Sequence, residues 1–323
     1  MWSTTAQTII DEDGWRGVRR CPQQVLELAA SAVLDGVSEH PAGVRFRFKP
    51  TGGELAVRIR TADAVIPLDL VVDGRLVHRR ELPEGESVQR FALSGGEVAE
   101  LWLPHACVAA TREITVGRKP PHSLPFPEKR WIAYGSSITR ARTSYGPSQT
   151  WAAIVADRFG LDHENLGMAG ECHLDPGIAD YIAASRPDYA TLCLGINVYG
   201  AGSFTARSWS PAVGGFIERV AAAVPNVLVI GPVGCPIRED HVNSAGSTLA
   251  QMRDEVRRVA EIIGRRHRSV SYLDGRDLLR VDEPHLLRDD GVHPTADGYL
   301  TIAERLGDHL SGLWFADAAA GGA

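Results

Sequence analysis

Hydrophobic and polar residues follow two different rhythms along this chain. Over residues 44–116 the period is two: Val44, Phe46 and Phe48 alternate with Arg45 and Arg47, and Leu55, Val57 and Ile59 alternate with Arg58 and Arg60. Such alternation sets one face of a strand on a core and the other in water. Asp73-Gly74, between Val71-Val72 and Arg75-Leu76-Val77, predicts a hairpin, because this pair accepts the positive φ angles of a two-residue turn. Further strands are expected at 88–93, 98–103 and 113–116, with Ser94-Gly95-Gly96 as another turn. Short strands at this spacing predict a jelly-roll-like β-sandwich over residues 1–119.

Four prolines (Pro120, Pro121, Pro125, Pro127) then mark a stiff linker at 120–128. Beyond it, short apolar runs at 131–134, 189–194, 227–230 and 270–273 alternate with helical stripes. Trp151, Ile154, Val155 and Phe159 share one face, and Gly160 is placed to end that helix. Val213, Phe216, Ile217 and Val220 form a second stripe. Leu249, Met252, Val256, Val259 and Ile263 form a third, and Tyr299, Ala303, Leu306 and Leu310 a fourth. Strand–helix alternation builds a parallel sheet covered on both faces, an α/β domain expected over 129–311, with a frayed tail at 312–323.

The 323 residues carry 34 basic and 40 acidic side chains, a net charge of −6. That balance argues against nucleic acid or an anionic membrane as partner. No apolar run reaches bilayer-spanning length, and the N-terminus lacks a basic and apolar leader. Five scattered cysteines without a CxxC pair fit free thiols in a reducing compartment, so a cytoplasmic location is expected.

In parallel sheets, sites form where loops leave the carboxyl ends of strands. Those ends carry chemistry here. Gly135-Ser136-Ser137 follows the first strand, placing a hydroxyl on a turn at a helix start. Asn165-Leu166-Gly167-Met168-Ala169-Gly170 follows the next, Gly195-Ile196-Asn197 a third, and Asp290-Gly291-Val292-His293 precedes the last helix. An acid and an imidazole three residues apart can hydrogen-bond and fix the ring tautomer. Each block alone has a structural explanation: a turn serine, a capping asparagine, a loop histidine. Their conjunction carries the argument.

In that order the blocks resemble the SGNH, or GDSL-like, hydrolases, in a two-domain branch with an N-terminal β-sandwich. The resemblance spans about 130–310. It implies a flavodoxin-like three-layer α/β/α domain and a serine esterase needing no cofactor or metal. Ser137 would be the nucleophile, His293 the base and Asp290 its orienting acid. The Ser137 and Gly170 N–H groups and the Asn197 amide would form the oxyanion hole. Two positions depart from the family pattern: Ser136 and Val198 stand where carboxylates are usual. The implied partner is a small-molecule acyl ester of a sugar or secondary metabolite, and the oligomeric state stays open.

Glu171, His173, Tyr199, Arg207 and Trp209 are candidate substrate-binding residues, although a hydrogen-bonded loop holding Gly170 would also explain Glu171 and His173, and a core position would equally explain Trp209. Asp175 belongs with Glu171 and His173, able to reach the substrate or to help hold the Gly170 loop; Arg238, Glu239 and His241 are more consistent with a solvated loop, and Cys172 reads as inert. Asp289 competes with Asp290, and spacing to His293 favours Asp290. An acyltransferase acting on a natural-product or sugar alcohol is the alternative. A carbohydrate-binding protein built on the sandwich ranks below both, since Phe46, Phe48, Phe91 and Trp102 alternate as core residues do.

Overall fold

The computed structural model describes residues 7–63 and 65–316. The strands are β1 (Gln7–Ile10), β2 (Arg16–Arg19), β3 (Arg45–Phe48), β4 (Thr51–Thr61), β5 (Ile66–Val72), β6 (Arg75–Leu82), β7 (Gly85–Gly95), β8 (Ala99–Trp102), β9 (Ala109–Val116), β10 (Arg130–Gly135), β11 (Asp162–Gly167), β12 (Tyr189–Cys193), β13 (Val227–Ile230) and β14 (Val270–Leu273). The helices are α1 (Gln23–Ala29), α2 (Ala32–Ser38), α3 (Ser137–Arg140), α4 (Trp151–Phe159), α5 (Pro176–Ser185), α6 (Ile196–Ala201), α7 (Ala206–Ala221), α8 (Leu249–Arg266) and α9 (Ala296–Leu313). None of them is long and apolar enough to cross a membrane.

Two antiparallel sheets, ordered β1-β2-β9-β4-β7 and β3-β8-β5-β6, face each other across one core. Phe46, Phe48, Leu55, Val57, Ile59, Leu70, Phe91 and Leu101 fill it, so the period-two residues point inward together. Asp73 and Gly74 both adopt positive φ and join β5 to β6 in the expected hairpin.

The second sheet system is parallel, ordered β11-β10-β12-β13-β14. Counted from its own first strand this is 2-1-3-4-5, the flavodoxin-like order, with its switch point between β10 and β12. Helices cover both faces. On β10, Ile132 and Tyr134 join the core under α5, α7 and α8, whereas Trp131 and Ala133 join the core under α4 and α9. Gly160 takes φ +61 and caps α4.

Three features differ from the sequence reading. Residues 23–38, expected within the sandwich, form α1 and α2, whose Leu26 and Leu34 join the core beneath the parallel sheet. The proline-rich segment, read as a stiff linker, also packs along the end of β3, a contact its composition does not indicate: Lys49 N–H donates to the His122 carbonyl and Leu124 N–H to that of Arg47. The expected frayed tail is corrected at its start. Trp314 packs on Tyr189 and Phe315 stacks on Phe159, with ring centroids 4.9 and 4.2 Å apart. Residues 317–323 of that tail lie outside the described residues.

Buried polar contacts tie the sandwich to the α/β layers. Arg20, 1% exposed, donates to the carbonyls of Val37, His40, Asn165 and Gly167. Arg45 pairs with Glu100 at 3.3 Å and with Asp162 at 3.2 Å. Asp69 accepts a bidentate pair from Arg79 and also the Ser148 N–H and hydroxyl. Edge strand β11 is buried along its whole length despite reading Asp-His-Glu-Asn. His163 stacks on Trp102, and Asn165 donates to the Thr139 carbonyl.

Candidate active site

β10 delivers Ser136 and Ser137 to the sheet's carboxyl edge. The Ser136 hydroxyl accepts from Ile138 N–H and caps α3, so Ser137 becomes the first residue of that helix. Gly135 and Gly167 make this turn possible. A Cβ at Gly135 would strike the Thr139 side chain, and one at Gly167 would strike the Arg140 backbone. The short helix therefore lies directly on β10 and β11, and of its first N–H groups those of Ile138, Thr139 and Arg140 are taken up by Ser136.

The Ser137 hydroxyl and His293 Nε2 are 2.8 Å apart, and His293 Nδ1 is 2.8 Å from Asp290 Oδ2. The other Asp290 oxygen accepts the backbone N–H groups of Val292 and His293, both at 2.9 Å. Partial burial raises the Asp290 carboxyl. The His293 and Val292 N–H groups and the imidazole outweigh it and bring the carboxyl down to about 2. Asp290 is therefore ionised at neutral pH and can only accept. Nδ1 of the neutral ring must carry the proton, which leaves Nε2 to accept from Ser137. Thr143 donates to the Pro294 carbonyl and ties this loop to the one after α3.

β12 delivers Asn197 through Gly195, whose φ of +120 suits glycine and whose Cβ would lie 2.9 Å from Pro232. The Asn197 side-chain oxygen accepts from Cys172 N–H at 3.2 Å. Its NH₂ end is left as the donor toward the cleft. Gly170 sits on a one-turn 3₁₀ segment after β11, and nothing lies within 4 Å of where its Cβ would be. Neither Ser137 nor Gly170 has its N–H on a backbone acceptor among the described residues. Ser137, Gly170, Asn197, Asp290 and His293 all line one open cleft of about 740 Å³.

The remaining candidates scatter. Trp209 takes the core position rather than a place in the pocket: it is 2% exposed, and its indole N–H donates to the Met252 carbonyl, because the α7 stripe turns it inward. Tyr199 is also buried, with its hydroxyl on the His241 carbonyl, and it supports the cleft wall rather than lining it. Arg207 is exposed at the start of α7, away from the cleft lining. Glu171 accepts from Ser31 and anchors the Gly170 turn to α2. His173 bonds Ser203 and lines a neighbouring groove with Asp175 and Phe204. Glu239 is buried in a bidentate pair with Arg253. Burial pushes the Cys172 thiol up to about 12, which suits an inert role.

Sequence reasoning missed Arg140, Arg142 and Arg288 on the cleft wall, and set Arg238 aside as a loop residue. The available signal was position: Arg140 and Arg142 lie within five residues of Ser137, and Arg288 lies within five of His293.

A family model described as GDSL-like lipase/acylhydrolase matches residues 133–300. Comparison with curated protein sequences gives no match. Among solved structures, the chain is similar to the salicylyl-acyltransferase SsfX3 from a tetracycline biosynthetic pathway. That likeness has a TM-score of 0.88 at 25% identity, covering 97% of this chain and 94% of that one. A family two carbohydrate esterase from Cellvibrio japonicus gives 0.63 at 11% identity, over 96% and 94%. One from Clostridium thermocellum, in complex with cellohexaose, gives 0.60 at 16% identity, over 83% and 91%. At those identities the two esterases show the shared fold alone.

Proposed function

Since the chain belongs to the GDSL-like lipase/acylhydrolase family, we propose that it is a serine esterase acting through an acyl-enzyme on Ser137. The observation that carries this reading is the unbroken Ser137–His293–Asp290 chain, two contacts of 2.8 Å, opening on a cleft that Gly170 and Asn197 also line. In the first half-reaction the Ser137 oxygen bonds to the ester carbonyl carbon as His293 Nε2 takes its proton. Asp290 holds the ring and offsets the imidazolium charge. The carbonyl oxygen becomes an oxyanion facing the Ser137 N–H, the Gly170 N–H and the Asn197 NH₂. The carbon–oxygen bond to the alcohol then breaks, and His293 returns the proton to the departing oxygen. Water, deprotonated by the same imidazole, releases the acid and restores Ser137.

The substrates in this reading are small O-acyl esters of a sugar or secondary metabolite. A second reading replaces water with an alcohol acceptor, and the likeness to SsfX3 over nearly the whole chain favours keeping it. The test is p-nitrophenyl acetate turnover by the parent and by Ser137→Ala, with an acetylated sugar beside it. Loss of turnover in the variant supports the reading, and parental turnover overturns it. Product analysis with added alcohol separates transfer from hydrolysis.

A further inference from the structure

The protein as a whole is acidic, with a net charge of −6, but the cleft is not. Arg140, Arg142, Arg238 and Arg288 line it against a single carboxylate, Asp290. Both Asp290 oxygens are already engaged, by the His293 ring and by two backbone N–H groups, and neither forms an ion pair with an arginine of the cleft. The guanidinium groups of Arg142, Arg238 and Arg288 make no hydrogen bond or ion pair with any of the described residues.

Two of the four guanidinium groups, those of Arg238 and Arg140, are also held in place. Arg238 lies over the Tyr199 ring at 5.7 Å, and Tyr199 is itself fixed by its bond to His241. A terminal nitrogen of Arg238 would be 3.5 Å from a Cβ at Gly200, one helical turn beyond Asn197. Arg140, 5% exposed, donates to His40 Nδ1, while its Nε has no partner among the described residues. Burial and the neighbouring Arg142 charge lower the Arg140 guanidinium to about 10, so like charges face each other here without a compensating acid. Unpaired cations around a concave site focus a positive potential into it. Guanidinium forks match carboxylate and phosphate oxygens.

We infer that the cleft takes an ester or thioester bearing an anionic group, a carboxylate or a phosphate, seated on Arg142, Arg238 and Arg288. This rests on the serine-esterase reading and narrows its substrate class. The anion could belong to the acyl group or to the departing group, and the two are separable. On the acyl side, mono-p-nitrophenyl adipate is compared with p-nitrophenyl hexanoate, a neutral ester of equal chain length. On the departing side, acetyl-coenzyme A is compared with S-acetyl-N-acetylcysteamine, its neutral fragment. For each pair the ratio of kcat/KM, anionic over neutral, is measured for the parent and for Arg142→Ala, Arg238→Ala, Arg288→Ala and Arg288→Lys.

In at least one pair the ratio should favour the anion, and it should fall several-fold when salt rises from roughly 10 to 300 mM, as exposed charges are screened. It should fall about tenfold in the alanine variants, as expected for loss of a charge-assisted contact, and recover in part in Arg288→Lys. The pair that responds identifies which side carries the charge. Ratios that ignore both salt and the substitutions overturn the inference, while Ser137-dependent turnover of the neutral ester leaves the esterase reading standing. Turnover that survives Ser137→Ala would instead remove the esterase reading beneath it.

Discussion

The side-chain oxygen of Asn197 accepts the backbone N–H of Cys172 at 3.2 Å, and this one contact decides which end of the amide faces the cleft. It also links the turn after β11 to the helix after β12, so the two groups proposed as oxyanion donors, at Gly170 and Asn197, are set against each other by a single bond. Asn197→Asp would keep that contact but present a carboxylate oxygen to a developing negative charge. We expect kcat to fall by about 10²–10³, with KM changed little, the cost of one oxyanion donor being about 2.7–4 kcal/mol. Steady-state kinetics on p-nitrophenyl acetate check this; a rise in KM at unchanged kcat would make Asn197 a ground-state binder.

Asp290→Asn should be more damaging than its exposure suggests. An amide in place of the carboxylate can donate to Nδ1 and turn the His293 tautomer the wrong way. A fall in kcat of roughly 10³–10⁴ is expected, with folding retained. Circular dichroism and kinetics on the same preparation separate the two effects.

Gly195→Ala tests the route by which Asn197 is aimed. Its φ of +120 disfavours a side chain, and the added methyl would meet Pro232. A stability loss on the order of 1–3 kcal/mol and reduced kcat are expected together, measurable by urea denaturation and initial rates.

Arg20→Met removes a guanidinium whose contacts converge on four carbonyls, two of them at the end of β11 just before Gly170. Leaving buried acceptors unpaired should cost on the order of 3 kcal/mol or more. Arg20→Lys should recover only part, since one ammonium lacks the fork. A parental urea midpoint for Arg20→Met would sink this account.

Acid should loosen the join between sandwich and α/β layers. Burial lowers His105 to about 4 and His40 to about 3, and it drives His163 well below the ordinary histidine value. In an unfolded chain these rings titrate near 6.5. Between about pH 6.5 and 4 the unfolded state therefore holds more protons, and stability falls as pH falls through that window. His163→Phe fills the space between Trp102 and Trp131 without a titrating group. Its urea midpoint should change less between pH 7 and pH 5 than the parent's.

Much of this was legible in the residues, and the exceptions have physical causes. The parallel strands and four helical stripes stood out because buried strands are uniformly apolar and surface helices carry one apolar face. The order Ser137, Gly170, Asn197, His293 could be read because each block falls at a strand's end or just before a helix. Strand β11 was harder to bound. Asp162, His163, Glu164 and Asn165 are buried yet polar, since Arg45, Trp102, Tyr181 and Thr139 supply partners from distant parts of the chain. Helices α1 and α2 were missed for the opposite reason: each is seven residues long, with too few apolar positions to show a period. Arg142 and Arg288 were missed and Arg238 was set aside because charge on a loop reads as solvated until the fold shows what it faces.

The polar outer strand of the parallel sheet has a practical consequence. An α/β half cut away at the prolines would leave Asp162 without Arg45, and the carbonyls of Asn165 and Gly167 without Arg20. What remains would be an open margin of backbone, the shape onto which stray chains add themselves. The sandwich is thus the lateral wall of the enzyme as much as a neighbouring module, and truncations meant to isolate the catalytic half should yield aggregates rather than a smaller esterase.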